Sequence, residues 1–142
     1  MTRGSRVFLD ANILLSAARS DGAIRALLRL LREAGHQLVV DAFVMEEARR
    51  NLERKVPDAL SSLERLTTVL ECASMRAMPD PEAAWLAWLP AKDRPVLASA
   101  SLLRCDFLIT GDRTHFGAGY GRNFEGVVLL SPAMAGDTLL TD

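Results

Sequence analysis

Short apolar runs alternate along this chain with longer stretches whose apolar residues recur at helical spacing. Val7-Phe8-Leu9 follows a basic residue and precedes an Asp-Ala-Asn turn signal, which predicts a buried strand over Arg6–Leu9. Asn12 is expected to cap a helix carrying Ile13, Leu14, Ala17 and Ala18, and Ser20-Asp21-Gly22 breaks it. A second helix over 23–34 places Ile24, Leu27, Leu28 and Leu31 on one face and Arg25, Arg29 and Arg32 on the other, with Gly35 as its stop. A strand over 37–40 follows, and Asp41 caps a third helix with apolar positions Val44, Ala48 and Leu52.

Pro57-Asp58 interrupts that helix, and Leu60, Leu63, Leu66 and Leu70 continue a fourth helical pattern up to a loop at Pro79-Asp80-Pro81. Trp85, Leu86, Trp88 and Leu89 predict a short helix, with the two tryptophans as a candidate exposed apolar interface. The next helix has Asp93 and Pro95 in its first turn and a buried stripe of Val96, Leu97, Ala100 and Leu103, and a strand over 106–110 comes after it. The segment 116–126 holds four glycines and reads as a mobile loop suited to substrate gating, before a last strand over Val127–Leu130. Its Gly119-Tyr120-Gly121 stretch precedes a strand rather than following one, so it is not a dinucleotide loop. Strands alternating with helices predict an α/β/α sandwich with a central, mainly parallel sheet, as one domain over 1–142. Ligands in such folds bind outside the carboxyl ends of the strands, which puts Asp10 and Asp112 near the functional edge.

Composition narrows this picture without redirecting it. The chain has 142 residues, 49% of them hydrophobic, enough for a compact core. A formal net charge of -1 neither favours nor excludes nucleic acid, because local patches still matter. The N-terminus enters the first strand without a signal-peptide core and the apolar runs are short, so a cytoplasmic protein without a membrane span is expected. Cys72 and Cys105 form no CxxC pair and are expected to be reduced, partly buried residues rather than a disulfide or zinc site.

Asp10, Glu47, Asp93 and Asp112 each stand where an apolar element meets a polar one. Two carboxylates about 4 Å apart repel by roughly 4 kcal/mol at an effective dielectric near 20, so a converging set needs a cation. Carboxylate oxygens are hard ligands, and without a His-rich or Cys-rich set the expected ion is Mg²⁺ or Mn²⁺. A site of this kind activates water and stabilises charge on a phosphodiester undergoing hydrolysis. Each acid also has a plainer reading: Asp10 and Asp93 as helix caps, Glu47 as a solvated helix residue, Asp112 as a Gly-Asp turn. Asn12 and Thr110 are candidates for orienting Asp10 and Asp112 by hydrogen bonds, or for merely satisfying strand ends. Arg49, Arg50, Arg54 and Lys55 on the third helix, and Arg113, His115 and Arg122 beyond the last acid, are candidate phosphate contacts.

Four pieces in order resemble the PIN-domain nucleases: Val7-Phe8-Leu9-Asp10-Ala11-Asn12, Glu46-Glu47-Ala48-Arg49-Arg50-Asn51-Leu52, the stretch from Lys92-Asp93 to Ala100, and Leu108-Ile109-Thr110-Gly111-Asp112. They span nearly the whole chain. The resemblance implies that Asp10, Glu47, Asp93 and Asp112 bind one or two divalent ions and that the protein cleaves RNA, often as the toxin half of a VapBC-type toxin–antitoxin pair and often as a homodimer. Of the adjacent Glu46 and Glu47, only one is expected to face the site, and the family pattern selects Glu47 because it precedes Ala48. A phosphatase of the haloacid-dehalogenase type also starts with an aspartate after a strand, but its second aspartate is here Asn12, a poor general acid. A noncatalytic RNA- or protein-binding module on the same scaffold is the remaining alternative, disfavoured because such a module has no need of four mutually repelling acids.

Overall fold

The computed structural model describes residues 4–74 and 80–141. Met1, Thr2, Arg3 and Pro79 of the predicted loop lie outside the described residues. Six strands form one sheet in the order β3-β2-β1-β4-β6-β5, with β1 Arg6–Leu9, β2 Gln37–Asp41, β3 Glu71–Ala73, β4 Phe107–Ile109, β5 Asn123–Phe124 and β6 Val127–Leu130. Every pairing is parallel except β5 with β6. Val7, Phe8, Leu9, Leu38, Val39, Val40, Leu108 and Ile109 are all buried, as strands covered on both faces must be.

The helices are α1 Ala11–Arg19, α2 Ala23–Glu33, α3 Ala42–Lys55, α4 Leu60–Thr67, α5 Arg94–Leu102, α6 Arg113–Phe116 and α7 Pro132–Leu139. α1 packs on α2, α3 and α4, α2 also touches β2 and α7, and α5 lies against β4 and β6. Helix α2 stops where the pattern says it should, with Gly35 at φ +94°, a backbone conformation that a side chain disfavours. Asp41 caps α3, its Oδ1 accepting from the Val44 N–H at 2.9 Å.

Several expectations are corrected. Helix α1 is capped by Asp10 rather than Asn12, because the Asp10 carboxylate accepts the Ala11 N–H at 2.8 Å while Asn12 turns its amide across to the turn that follows β4. Leu70 is not on α4: the helix ends at Thr67, where the Thr67 and Thr68 hydroxyls fold back onto the Glu64 and Arg65 carbonyls. The chain then adds β3 to the sheet, and Cys72 on it is exposed rather than partly buried. The helix predicted around Trp85 is a single 3₁₀ turn over Ala84–Leu86, and Asp93 ends another over Ala91–Asp93 before α5 begins. Leu103 lies beyond the end of α5 and is only half-buried, unlike Val96, Leu97 and Ala100.

The glycine-rich segment is the largest correction. Instead of an irregular loop it runs from the end of α6 at Phe116 through a 3₁₀ turn over Gly117–Gly119 to strand β5. Trp88 anchors it, stacking on Phe124 with ring centroids 4.8 Å apart and meeting Phe116 edge-on at 6.4 Å. Gly119 is where it is because a Cβ there would come within 2.5 Å of the Trp88 ring. Both tryptophans are partly buried and pack against the core rather than standing fully exposed. Helix α7, which the apolar pattern did not predict, is started by Ser131, whose hydroxyl accepts from the Met134 N–H at 3.2 Å, with Pro132 at its first position.

Candidate functional site

The sheet reverses its winding between β1 and β4, so the residues that follow these two strands become neighbours. Leu9 pairs with Ile109, and the Asp10 N–H donates to the Ile109 carbonyl at 3.1 Å. Asp10 and the Thr110-Gly111-Asp112 turn thus emerge side by side at the crevice where an open α/β sheet binds its ligands.

Asp10 is held by three donors. Oδ1 accepts from the Ala11 N–H at 2.8 Å, and Oδ2 accepts from the Thr110 hydroxyl at 2.8 Å and the Asn12 amide at 3.1 Å. Asn12 returns a bond through Oδ1, which accepts from the Gly111 N–H at 2.9 Å. The Asp112 N–H approaches the Thr110 hydroxyl oxygen at 3.2 Å, so one threonine oxygen links two acids. Asp10 is therefore a helix cap that also stands at the β1–β4 crevice. Burial pushes its carboxyl up from 3.8 to about 6, with Thr110 and Ala11 opposing the rise and the charges of Glu47 and Asp93 adding to it.

Asp93 occupies the cap position of α5 without capping it. Its carboxyl is also raised, first by burial, with the nearby His115 opposing and Asp112 reinforcing the rise. Asp112 does cap a helix, Oδ1 accepting from the His115 N–H at 3.1 Å. Its other oxygen lies 2.9 Å from His115 Nδ1, which is also 2.9 Å from Asp93 Oδ2. Both approaches are at ion-pair distance and His115 also lowers the Asp93 pKa by hydrogen bonding, yet the angles at Nδ1 and Asp93 Oδ2, both shut off from solvent, are not those of a well-aligned hydrogen bond. One ligand atom from each of Asp93, Asp112 and His115 falls within 4.8 Å of the others.

The two adjacent glutamates of α3 part ways. Glu46 is engaged by Arg49 at 2.8 Å and Arg50 at 4.0 Å. Glu47 makes no ion pair among the described residues, and its charge acts on Asp10. It stands on the exposed rim, while Asp10 is nearly enclosed. Of the basic candidates, Arg113 is exposed beside Asp112 and Arg122 lies 5.4 Å over the Phe124 ring. Arg54 is turned to the Asn51 side chain at 3.3 Å.

Tyr120 was missed as a site residue. Its hydroxyl donates to the Thr110 carbonyl at 2.7 Å and pins the turn that carries Asp112. Burial raises its pKa, with Arg113 opposing and Asp112 and Asp10 reinforcing the shift. The sequence holds one signal, that this is the only tyrosine of the chain and it sits in a glycine-rich stretch. Beside Asp112 a groove of about 360 Å³ is lined by Asn12, Ile13, Ser16, Ile24, Gly111 and Pro132.

A family model described as the PIN domain matches residues 6–114. The chain belongs to the PIN-domain family. No curated protein matches the sequence. Among solved structures this PIN domain is similar to a chain of VapBC2 from Rickettsia felis, solved with a DNA fragment from its promoter, at 15% identity and a TM-score of 0.62 over 89% of this chain and 98% of that one. It is also similar to VapC20 from Mycobacterium tuberculosis, a sarcin-ricin loop cleaving toxin, at 18% identity and a TM-score of 0.56 over 80% and 95% of the two chains. At these identities the likeness is one of fold.

The PIN-domain acids fit a divalent cation on their own chemistry. Hard carboxylate oxygens crowd together, two of the acids are raised by burial and mutual repulsion, and a carboxylate oxygen and a ring nitrogen are left buried without aligned partners.

Proposed function

We propose that this PIN domain is a metal-dependent endoribonuclease, with Asp10, Asp93 and Asp112 holding one or two Mg²⁺ or Mn²⁺ ions and Glu47 completing the set from the rim. The observation that carries the reading is the gathering of Asp10, Asp93 and Asp112 at the β1–β4 crevice, with no Lys or Arg side chain in ion-pair contact with any of them among the described residues. When bound, the cation lowers the pKa of water and screens the charge that develops on the phosphodiester. The chain supplies the rest. Thr110 and Asn12 fix the Asp10 oxygens, Tyr120 fixes the turn of Asp112, and Glu47 offers an exposed carboxylate to orient or deprotonate the attacking water. Arg113 and Arg122 are placed to steer phosphates towards the acids, whereas Arg49 and Arg50 are partly neutralised by Glu46.

The fold shared with VapBC2 and VapC20 supports a toxin paired with an antitoxin protein and acting on RNA; a homodimer follows only from the family resemblance of the sequence, and a cytoplasmic location only from its short apolar runs. A haloacid-dehalogenase type of phosphatase is disfavoured further by Asn12, whose amide is already committed on both sides and has no proton to deliver. The test is cleavage of single-stranded and structured RNA with Mg²⁺ or Mn²⁺. Asp10→Asn should lower the rate at least about 1000-fold, roughly 4 kcal/mol of barrier, and EDTA should abolish it. Cleavage that persists unchanged through both treatments would sink the reading.

A further inference from the structure

The sequence singles out His115 only as a candidate phosphate contact and not among the four acids for metal binding, yet the fold delivers its ring into the acids. The delivery is built into the backbone: Asp112 caps α6 by accepting the His115 N–H, which sets the imidazole three residues on against the other oxygen of the same carboxylate. Nδ1 then stands 2.9 Å from both Asp112 Oδ2 and Asp93 Oδ2. A ring nitrogen carries one proton and can serve only one of two carboxylates, and here it is aligned with neither. Atoms at neighbouring corners of an octahedron with bonds near 2.1 Å are about 3 Å apart, so the two 2.9 Å spacings from Nδ1, with one ligand atom from each of the three residues within 4.8 Å of the others, suit donors turned towards a common ion.

We propose that His115 is a ligand of the divalent-cation site, giving its Nδ1 alongside Asp93 and Asp112, and that this nitrogen biases the site towards a first-row transition ion such as Mn²⁺ over Mg²⁺. The inference rests on the nuclease reading above and specifies its metal. Mg²⁺ is small, hard and reluctant to give up water, whereas imidazole is a good donor for transition ions. The competing role for His115 is an internal cation that balances Asp93 and Asp112 and leaves when the metal arrives. The two roles predict opposite effects of removing the ring.

The experiment is Mn²⁺ titration of the full chain followed by electron paramagnetic resonance, with electron spin-echo modulation on the loaded protein and Mg²⁺ affinity from competition. Wild type should show modulation from a directly bound imidazole nitrogen, and His115→Asn and His115→Gln should lose it. Both variants should bind Mn²⁺ at least about tenfold more weakly, with a smaller loss for Mg²⁺. Mn²⁺ bound without a coupled nitrogen in wild type, or bound more tightly by His115→Asn, overturns the assignment. The wild-type spectrum answers the question even if the variants fold poorly. Mn²⁺ binding that requires Asp112, tested with Asp112→Asn, but shows no nitrogen removes His115 and leaves the nuclease site standing. A wild-type protein that takes up no Mn²⁺ overturns both.

Discussion

The two ends of strand β1 handle charge in opposite ways. At its start, Arg6 donates to both oxygens of Glu71 at 3.0 and 2.9 Å, to Gln37 at 3.2 Å and to the Leu103 carbonyl at 3.3 and 3.1 Å, while its backbone N–H donates to Asp106 at 2.9 Å. Each charge there meets its opposite: Arg6 is raised and Glu71 lowered, in both cases chiefly by their mutual hydrogen bonds. One residue beyond the other end, Asp10 is raised because burial and like charge outweigh its neutral donors, and Asp93 with it because burial and Asp112 outweigh His115 and Lys92. The first edge is arranged for stability. The second carries an electrostatic cost that folding alone does not repay, and an incoming cation would.

Removing the neutral donors tests that contrast most severely. Thr110→Val keeps the shape of a fully buried side chain but takes the hydroxyl from Asp10 Oδ2 and from the Asp112 N–H. Cation affinity and RNA cleavage should fall by about 10–100-fold, measured by calorimetry and by rate, with the fold retained.

The cost at the acidic edge should be visible as stability. The Asp10 carboxyl is held up to about 6 from 3.8, so the folded chain binds its proton more tightly than the unfolded chain does. That contribution is fully present below 3.8 and is lost as pH rises through about 6, after which ionised Asp10 is a constant penalty. In the presence of a chelator, Asp10→Asn should therefore be more stable than wild type by on the order of 1–3 kcal/mol near pH 8, and the gap should close between about pH 6 and pH 4. Urea melts across that range give the answer. A variant less stable than wild type at every pH would mean that the acidic edge carries no such cost.

The paired edge should give the smallest effect and the opposite sign. Arg6 and Glu71 are about one-third exposed, at 31% and 36%, so solvent screens much of their attraction. Arg6→Leu should lower stability by about 1 kcal/mol, with cleavage and cation affinity unchanged. A loss of activity without a loss of stability would erase the distinction between the two ends of β1.

How legible these features were depended on how local they are. The buried strands and α2 could be read because apolar spacing and a glycine stop are properties of consecutive residues, and a short run such as Val7-Phe8-Leu9 needs only neighbours to bury it. Strand β3 was hidden because Glu71, Cys72 and Ala73 have no strand signature, and the pairing with β2 and the ion pair with Arg6 come from residues more than thirty positions away. The segment 116–126 looked loose because glycine permits many conformations, while Trp88, which holds it, lies nearly thirty residues earlier.

The candidate site divides along the same line. The sequence by itself determined where acids end strands and start helices, since Asp10 and Asp112 are both caps whose bonds reach no further than three residues. It also ordered the motifs by which the PIN domain is recognised. Only the tertiary structure decided that Asp10 shares the Thr110 hydroxyl across a separation of a hundred residues, that Glu46 is taken by Arg49 while Glu47 is left to act on Asp10, and that His115 stands among the acids rather than outside them. The reason is physical. Capping and periodicity act between neighbours along the chain, but repulsion, desolvation and ligand geometry depend on distances through space, which exist only once β1 and β4 lie side by side.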